Sequence, residues 1–310
     1  MRLADRLAGC PGVKLLPGEL LARHTTFKIG GPVELLADIT SEGALVRVVE
    51  EAAAERVPIE VFGLGSNVLV PDEGLRGVVL RLAGDLRRVR IRGRRLSAGG
   101  GVPLPLVARR AAEAGLAGLE ALSGFPSTVG GGVCMNAGCY GTEIRDVLVS
   151  VRVVERTGER RRLATAELEP GYRSTNLQAT RAIVVRALFE LRPGRPRELL
   201  RRIDEINARR RASLPSGVPN AGSIFKNPPG EFAGRLLEAC GLKGRRRGGA
   251  AISERHANVI VNSGGASADD VVGLMTEARD AVAERFGIVL EPEVVLLGAL
   301  GKGWREGGSR

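Results

Sequence analysis

Apolar residues recur along this chain in two periods, and the switches between them outline its elements. Leu45, Val48, Val49 and Ala52 sit at helical spacing behind Thr40 or Ser41, either of which can cap a helix running to about Glu55. Pro58 ends that helix, and Ile59 to Phe62 reads as a short strand. After the turn Gly63-Leu-Gly-Ser-Asn67, strand patterns follow at Val68 to Val70, Gly77 to Leu82 and Val89 to Leu96, then a helix from Pro103 to about Ala114. Alternation in Val147 to Glu155 and Ala182 to Leu191 predicts two paired strands. Beyond the linker-like Pro193-Gly-Arg-Pro196 come a helix with an arginine-rich face to Ala212, a loop over 214–230, and a helix from Glu231 to Cys240. A strand over Ala257 to Asn262 precedes a helix capped by Ser267, with Asp269 and Asp270 in its first turn, that runs to Phe286. A strand from Ile288 to about Leu297 closes the pattern, and Gly303 to Arg310 reads as a frayed tail. The class is α+β.

Two glycine-rich segments interrupt these periods. In Gly63-x-Gly65-Ser66-Asn67, residues tolerant of positive φ stand beside a hydroxyl and an amide, so the turn can aim backbone N–H groups at a phosphate. It lacks the helix that a Rossmann fingerprint opens, and alone it fits a plain hairpin turn equally well. The second segment, from Gly124 to Gly141, adds Ser127, Thr128, Gly131, Asn136 and Gly138. Read as a loop, it carries an ordering entropy that burial alone does not offset, so a bound ligand is expected there. Two such segments in one domain suit a long, flat, doubly charged molecule such as a dinucleotide.

Composition narrows the classes. With 310 residues, 44% of them hydrophobic and 26% charged, the chain is long enough for two domains and has globular composition. No apolar run approaches the length of a membrane span. Charges at Arg2, Asp5 and Arg6 argue against a signal peptide, so a cytoplasmic location with reduced thiols is expected. Cys10, Cys134, Cys139 and Cys240 lack metal-ligand spacing, and only His24 and His256 stand by to help, so no metal site is expected. The net charge of +11 invites a nucleic-acid reading. Against it, the basic residues are scattered, aromatics make up only 3%, and no helix-turn-helix, zinc-finger or RNP pattern occurs. All but five of the 46 basic residues are arginine, which fits a solvated surface that also attracts anions.

Seven segments occur in a familiar order: His24-Thr-Thr-Phe-Lys-Ile-Gly-Gly31, Gly63 to Val70, Gly124 to Gly141, Tyr172-Arg-Ser174, Ala221-Gly-Ser-Ile-Phe-Lys-Asn-Pro228, Ser253-Glu-Arg-His-Ala-Asn258 and Leu290-Glu-Pro-Glu-Val294. Together, over about residues 20–298, they resemble the UDP-N-acetylenolpyruvoylglucosamine reductases, and the compact Tyr172 to Leu191 stretch resembles their shorter, type II form. The resemblance implies a vanillyl-alcohol-oxidase (PCMH) type of fold. FAD would lie in a domain of two subdomains, about 1–60 and 61–195. A C-terminal α+β domain, 196–310, would cover the substrate, with the last strand (about 288–299) as a possible return to the FAD domain. It implies NADPH as co-substrate and UDP-N-acetylglucosamine enolpyruvate as the substrate reduced to UDP-N-acetylmuramate, with no nucleic-acid or membrane partner. A monomer is expected.

That reaction builds enolate-like charge beside a carboxylate and needs a proton at the adjacent carbon. The resemblance assigns the carboxylate to Arg173, the proton to Ser223, and assistance to Glu293; chemistry alone does not separate Glu293 from Glu291. It assigns Gly63, Gly65, Ser66, Asn67, Gly124, Ser127, Thr128, Gly131, Asn136 and Gly138 to the cofactor, and Tyr140, Tyr172, Lys226 and Asn227 to the UDP-sugar. His24 and His256 are expected to make structural hydrogen bonds. Two positions depart from the family pattern: Ser127, where glycine is common, and Ser213, in a region that often carries lysine, where Arg210 or Arg211 would substitute. The rival from the same fold is an alcohol or lactone oxidase with covalently attached FAD. Two histidines and no Arg-Ser-Gly-Gly-His stretch weigh against it.

Overall fold

The computed structural model describes residues 3–307. Its chain forms two compact units, one of residues 1–17, 35–64 and 77–210, the other of residues 18–34, 65–76 and 211–310.

The first unit holds two sheets. One has the order Val13–Pro17, Val33–Ile39, Leu75–Leu82, Ile59–Phe62. Its first two strands are antiparallel, with Leu16 opposite Leu36, and its last two are parallel, with Ile59 opposite Val78. The helix Glu42–Ala54 covers it because Leu45, Val48, Val49 and Ala52 form one buried stripe against Ala37, Ile39, Val78 and Leu80. Ser41 is its cap, Oγ accepting from the Ala44 amide at 3.2 Å. The other sheet is antiparallel, in the order Arg160–Ala164, Leu148–Val154, Ile183–Glu190, Arg95–Gly99, Val89–Arg92. The helices Leu104–Glu113 and Val129–Cys134 join its core through Leu104, Val107, Val129 and Val133, packed with Leu96, Ala187 and Phe189.

The second unit is built on an antiparallel sheet ordered Asn220–Ser223, Val259–Asn262, Ala250–Ile252, Arg246–Arg247. The helix Ala268–Phe286 buries Val271, Leu274, Met275, Ala278 and Val282 in the core of that unit. Val295–Leu296 runs parallel to Val68–Leu69. No helix among the described residues is long and apolar enough to cross a membrane.

Several elements differ from the sequence reading. Val89 to Leu96 is not one strand but the start of a hairpin, Val89–Arg92 turning at Gly93 (φ 56°) into Arg95–Gly99, and alternation alone does not reveal the turn. The Gly124–Gly141 segment is not all loop. Its glycines form the helix Val129–Cys134 because Thr128 caps it, and because a Cβ on Gly132 would stand 2.5 Å from Leu104 Cδ1 and 2.7 Å from Ile144 Cδ1. Close packing there outweighs glycine's poor helix propensity. The last strand shrinks to Val295–Leu296; its expected N-terminal half is extended chain around Pro292, which lacks the N–H that a ladder needs. The expected frayed tail is helical as far as Gly307, in the helix Ala299–Gly307, and Trp304 lies 6.4 Å from the Phe225 ring; positions 308–310 fall outside the described residues. The hairpin of Val13–Pro17 with Val33–Ile39 and the strand Arg160–Ala164 went unread in the sequence.

Candidate functional site

In the first unit the two glycine-rich segments meet. A Cβ on Gly63 would lie 2.6 Å from Thr128 Oγ1, so only glycine lets the chain run against the helix cap. Thr128 Oγ1 accepts from the Gly131 amide at 3.2 Å, and Ser127 Oγ donates to the Thr128 carbonyl at 3.0 Å. The first amides of this helix are already engaged: Val129 donates to Val102 and Gly130 to Gly100, both at 2.8 Å. What the junction exposes is side-chain-free backbone at Gly63 and Gly131, on either side of the buried Thr128. Glycine backbone flanked by small hydroxyls, as at this junction, suits a flat, pyrophosphate-bearing group. Gly124 is half-buried beside Ile206 and Arg210, whereas Gly138 serves the Gly138–Glu143 hairpin, where a Cβ would come within 2.6 Å of the Thr142 carbonyl oxygen.

Asn136 is 1% exposed and left-handed, with φ 39°. Its Nδ2 donates to Glu143 and to the Gly171 carbonyl, each at 2.9 Å, and its Oδ1 accepts from the Arg145 amide at 3.2 Å. The side chain that the sequence places on the cofactor is therefore fastened to the turn Gly171–Ser174. Arg173 in that turn is also left-handed, with φ 54°, and its guanidinium carbon sits 4.9 Å from the Tyr172 ring centroid. Tyr172 is 45% exposed and Tyr140 53%, large areas for aromatic rings. Tyr140 lines a cleft of about 300 Å³ with Ala121, Arg202, Glu205, Ile206 and Arg209. Nearby, burial pushes the Cys139 thiol up while Arg210 and Arg173 pull it down, and burial pushes Cys134 up to about 11. Both cysteines are thus thiols at neutral pH. Among the described residues no group of three His, Cys, Asp or Glu side chains is placed to hold a metal.

The second unit brings Ser223 and Glu293 onto neighbouring segments. The Glu293 amide donates to the Ile224 carbonyl at 2.7 Å, the Lys226 amide donates to that of Glu291 at 2.8 Å, and Phe225 bridges Pro292. The Asn67 side chain donates to the Glu293 carbonyl at 3.0 Å, and the Val295 amide to that of Asn67 at 3.0 Å. Gly65 (φ 61°) lies so close to His24 that a Cβ would stand 2.1 Å from its carbonyl oxygen, and Ser66 beside it is half-buried. The two glutamates separate here. Glu291 is 73% exposed and pairs with Lys226 at 3.2 Å, whereas Glu293 is half-buried with its backbone clamped at both ends. Asn227 Oδ1 accepts from the Ala233 amide at 3.0 Å, at the start of the helix Ala233–Ala239. His24 Nε2 meets Glu19 at 3.0 Å, and His256 Nδ1 accepts from the Asn258 amide at 3.2 Å.

The sequence reading missed Asn258 as an individual residue. It is 3% exposed, its Oδ1 accepts from the Phe225 amide at 2.9 Å, its Nδ2 donates to the Phe225 carbonyl at 2.8 Å, and it thereby holds the loop after Ser223 as a strand partner would. Its place in the Ser253 to Asn258 segment was the available signal.

A family profile described as FAD binding domain matches residues 33–164, and one described as UDP-N-acetylenolpyruvoylglucosamine reductase, C-terminal domain, matches residues 214–297. UDP-N-acetylenolpyruvoylglucosamine reductase 2 of Symbiobacterium thermophilum is 44% identical over 299 residues, 96% of this chain and 97% of that protein. The reductase of Rubrobacter xylanophilus is 45% identical over 281 residues, 90% of this chain and 94% of its own length. The crystal structure of UDP-N-acetylenolpyruvylglucosamine reductase from Thermus caldophilus superposes with a TM-score of 0.79 at 39% identity, covering 92% of this chain and 99% of that one. With FAD-binding and C-terminal profiles in order and relatives matched almost end to end, this chain belongs to the UDP-N-acetylenolpyruvoylglucosamine reductase family of FAD-dependent oxidoreductases.

Proposed function

We propose that this chain catalyses the NADPH-dependent reduction of UDP-N-acetylglucosamine enolpyruvate to UDP-N-acetylmuramate, a step in peptidoglycan precursor synthesis, acting as a cytoplasmic monomer. The observation that carries the residue assignment is the antiparallel contact of residues 224–226 with residues 291–293, which sets Ser223 and Glu293 on adjoining backbone. FAD, when bound, supplies hydride, taken from NADPH, to the enolpyruvyl methylene carbon. Gly63, Gly65, Ser66, Ser127, Thr128 and Gly131 are the residues that would hold it, with Gly124 flanking. Asn67, Asn136 and Gly138 are assigned to the same cofactor.

Arg173 binds the substrate carboxylate through its planar fork and stabilises the charge that builds there. Ser223 Oγ gives its proton to the carbon beside that carboxylate. Glu293 assists formation and protonation of the enolate-like centre. Tyr140, Tyr172, Lys226 and Asn227 are assigned to the UDP-sugar, whose diphosphate the net charge of +11 attracts. The test is a purified protein that is yellow and oxidises NADPH only when given the enolpyruvyl substrate. Ser223→Ala is expected to leave flavin reduction by NADPH within about twofold while product formation falls at least about a hundredfold, read by stopped-flow absorbance. If both half-reactions fall together, the role given to Ser223 is wrong. Oxygen consumption with an alcohol or lactone, without NADPH oxidation, would point to the rival oxidase.

A further inference from the structure

Arg173 is an odd choice for the conformation it occupies. Left-handed backbone suits glycine or asparagine, yet an arginine stands there at φ 54°. Such a residue keeps its geometry only where its surroundings over-determine it. The surroundings here are specific. The turn closes on itself, with the Gly171 amide donating to the Ser174 carbonyl at 3.0 Å. The carbonyl on the N-terminal side of the Tyr172-Arg173 pair, that of Gly171, is held by Asn136 Nδ2 at 2.9 Å. The carbonyl of Arg173 itself is held by Gln178 Nε2 at 3.1 Å. That same amide nitrogen lies 3.3 Å from the Cys134 carbonyl and 3.2 Å from Met135 Sδ, and Thr175 Oγ1 donates to the Cys134 carbonyl at 2.8 Å. The end of the glycine helix and the arginine turn are thus stitched together, and Gln178 donates directly to the Arg173 carbonyl.

We infer that Gln178 is a positioning residue for the reaction, holding Arg173 in its left-handed conformation by joining the Arg173 carbonyl to the Cys134–Met135 end of the glycine helix. Asn136 is the second anchor of the same turn. The inference rests on the reading of Arg173 as the carboxylate-binding residue. Gln178 is itself exposed, so its removal does not open a core, and a change in catalysis does not reduce to a change in folding. Losing one donor lets the turn relax toward ordinary backbone angles and swings the guanidinium away from the carboxylate. Even small displacements are costly at a reacting centre.

The experiment is a double-mutant cycle on the FAD-loaded protein with UDP-N-acetylglucosamine enolpyruvate as probe, using Gln178→Leu, Arg173→Ala and the pair. Gln178→Leu is expected to raise the KM for the UDP-sugar and slow the oxidative half-reaction, together by about tenfold in kcat/KM, with flavin reduction by NADPH within about twofold. In the Arg173→Ala background the same change is expected to have no further effect, because the residue it serves is gone. Two outcomes overturn the inference: parent-like kinetics for Gln178→Leu, or a loss that persists undiminished without the arginine. If Arg173→Ala alone leaves the oxidative half-reaction at the parent rate, the reading of Arg173 fails instead, and the positioning role falls with it.

Discussion

Asparagine side chains show how a residue type that signals ligand binding in sequence also takes a structural task in the fold. Asn67 and Asn136 stand in glycine-rich turns, where an amide beside flexible backbone suggests a cofactor contact. Each donates to a backbone carbonyl, of Glu293 and of Gly171, and Asn258 holds both backbone polar groups of Phe225. An amide is suited to this because it carries a donor and an acceptor in one plane, as a peptide group does. At the same scale the structure separates two glutamates that chemistry left equal. The Lys226–Glu291 pair is exposed on its glutamate side and worth at most about 1 kcal/mol. Glu291→Gln is therefore expected to keep kcat within about twofold, whereas Glu293→Gln lowers it by about a hundredfold or more, the usual range for a group that assists proton transfer. Steady-state NADPH oxidation by the two variants checks this, and equal losses would sink the distinction.

Among the elements, the helix Ala268–Phe286 was the most legible, since its signals are local. Ser267 and Asp270 form a capping box, with Ser267 Oγ accepting from the Asp270 amide and an Asp270 oxygen accepting from the Ser267 amide, both at 3.0 Å. Asp270 also accepts from the Gly249 amide at 3.2 Å. The Ser267 amide, then the Gly249 amide and the Arg247 charge, hold the Asp270 carboxyl below its ordinary range. A lowered value means that the stabilisation is present above the unfolded carboxylate range and is lost as pH falls through the depressed folded value. Asp270→Asn is expected to flatten the acid limb of a plot of Tm against pH below about 5. Ser267→Ala removes about 1 kcal/mol, read by urea unfolding at neutral pH. The glycine helix Val129–Cys134 was not legible, because the contacts that compensate its propensity come from Leu104 and Ile144.

Across the described residues, charge is distributed mainly over the surface, and Arg156 is one departure from it. Arg156, in the hairpin after Leu148–Val154, has Nε and Nη1 buried without a hydrogen-bond partner. Burial lowers its pKa, against the raising influence of Glu60, and Arg181 adds like charge. Removing an unsatisfied buried charge in favour of an apolar side chain of similar length recovers its desolvation cost. Arg156→Met is expected to raise unfolding free energy by about 1 kcal/mol or more, and a urea midpoint below the parent's would refute this. Nothing in the sequence distinguished Arg156 from the other arginines.

The sequence by itself determined the helices that carry their own caps and stripes, the α+β class, and, through seven segments in order, the family. Those signals lie within a few residues of one another or are motifs read in series, so no folding is needed to see them. Tertiary structure decided which glutamate is clamped, which asparagines brace carbonyls, and that Gly63 lies against Thr128. These contacts join residues 226, 35, 33 and 65 positions apart. A side-chain amide will satisfy any carbonyl it reaches, and a glycine admits any close neighbour, so neither names its partner until the chain has closed around it.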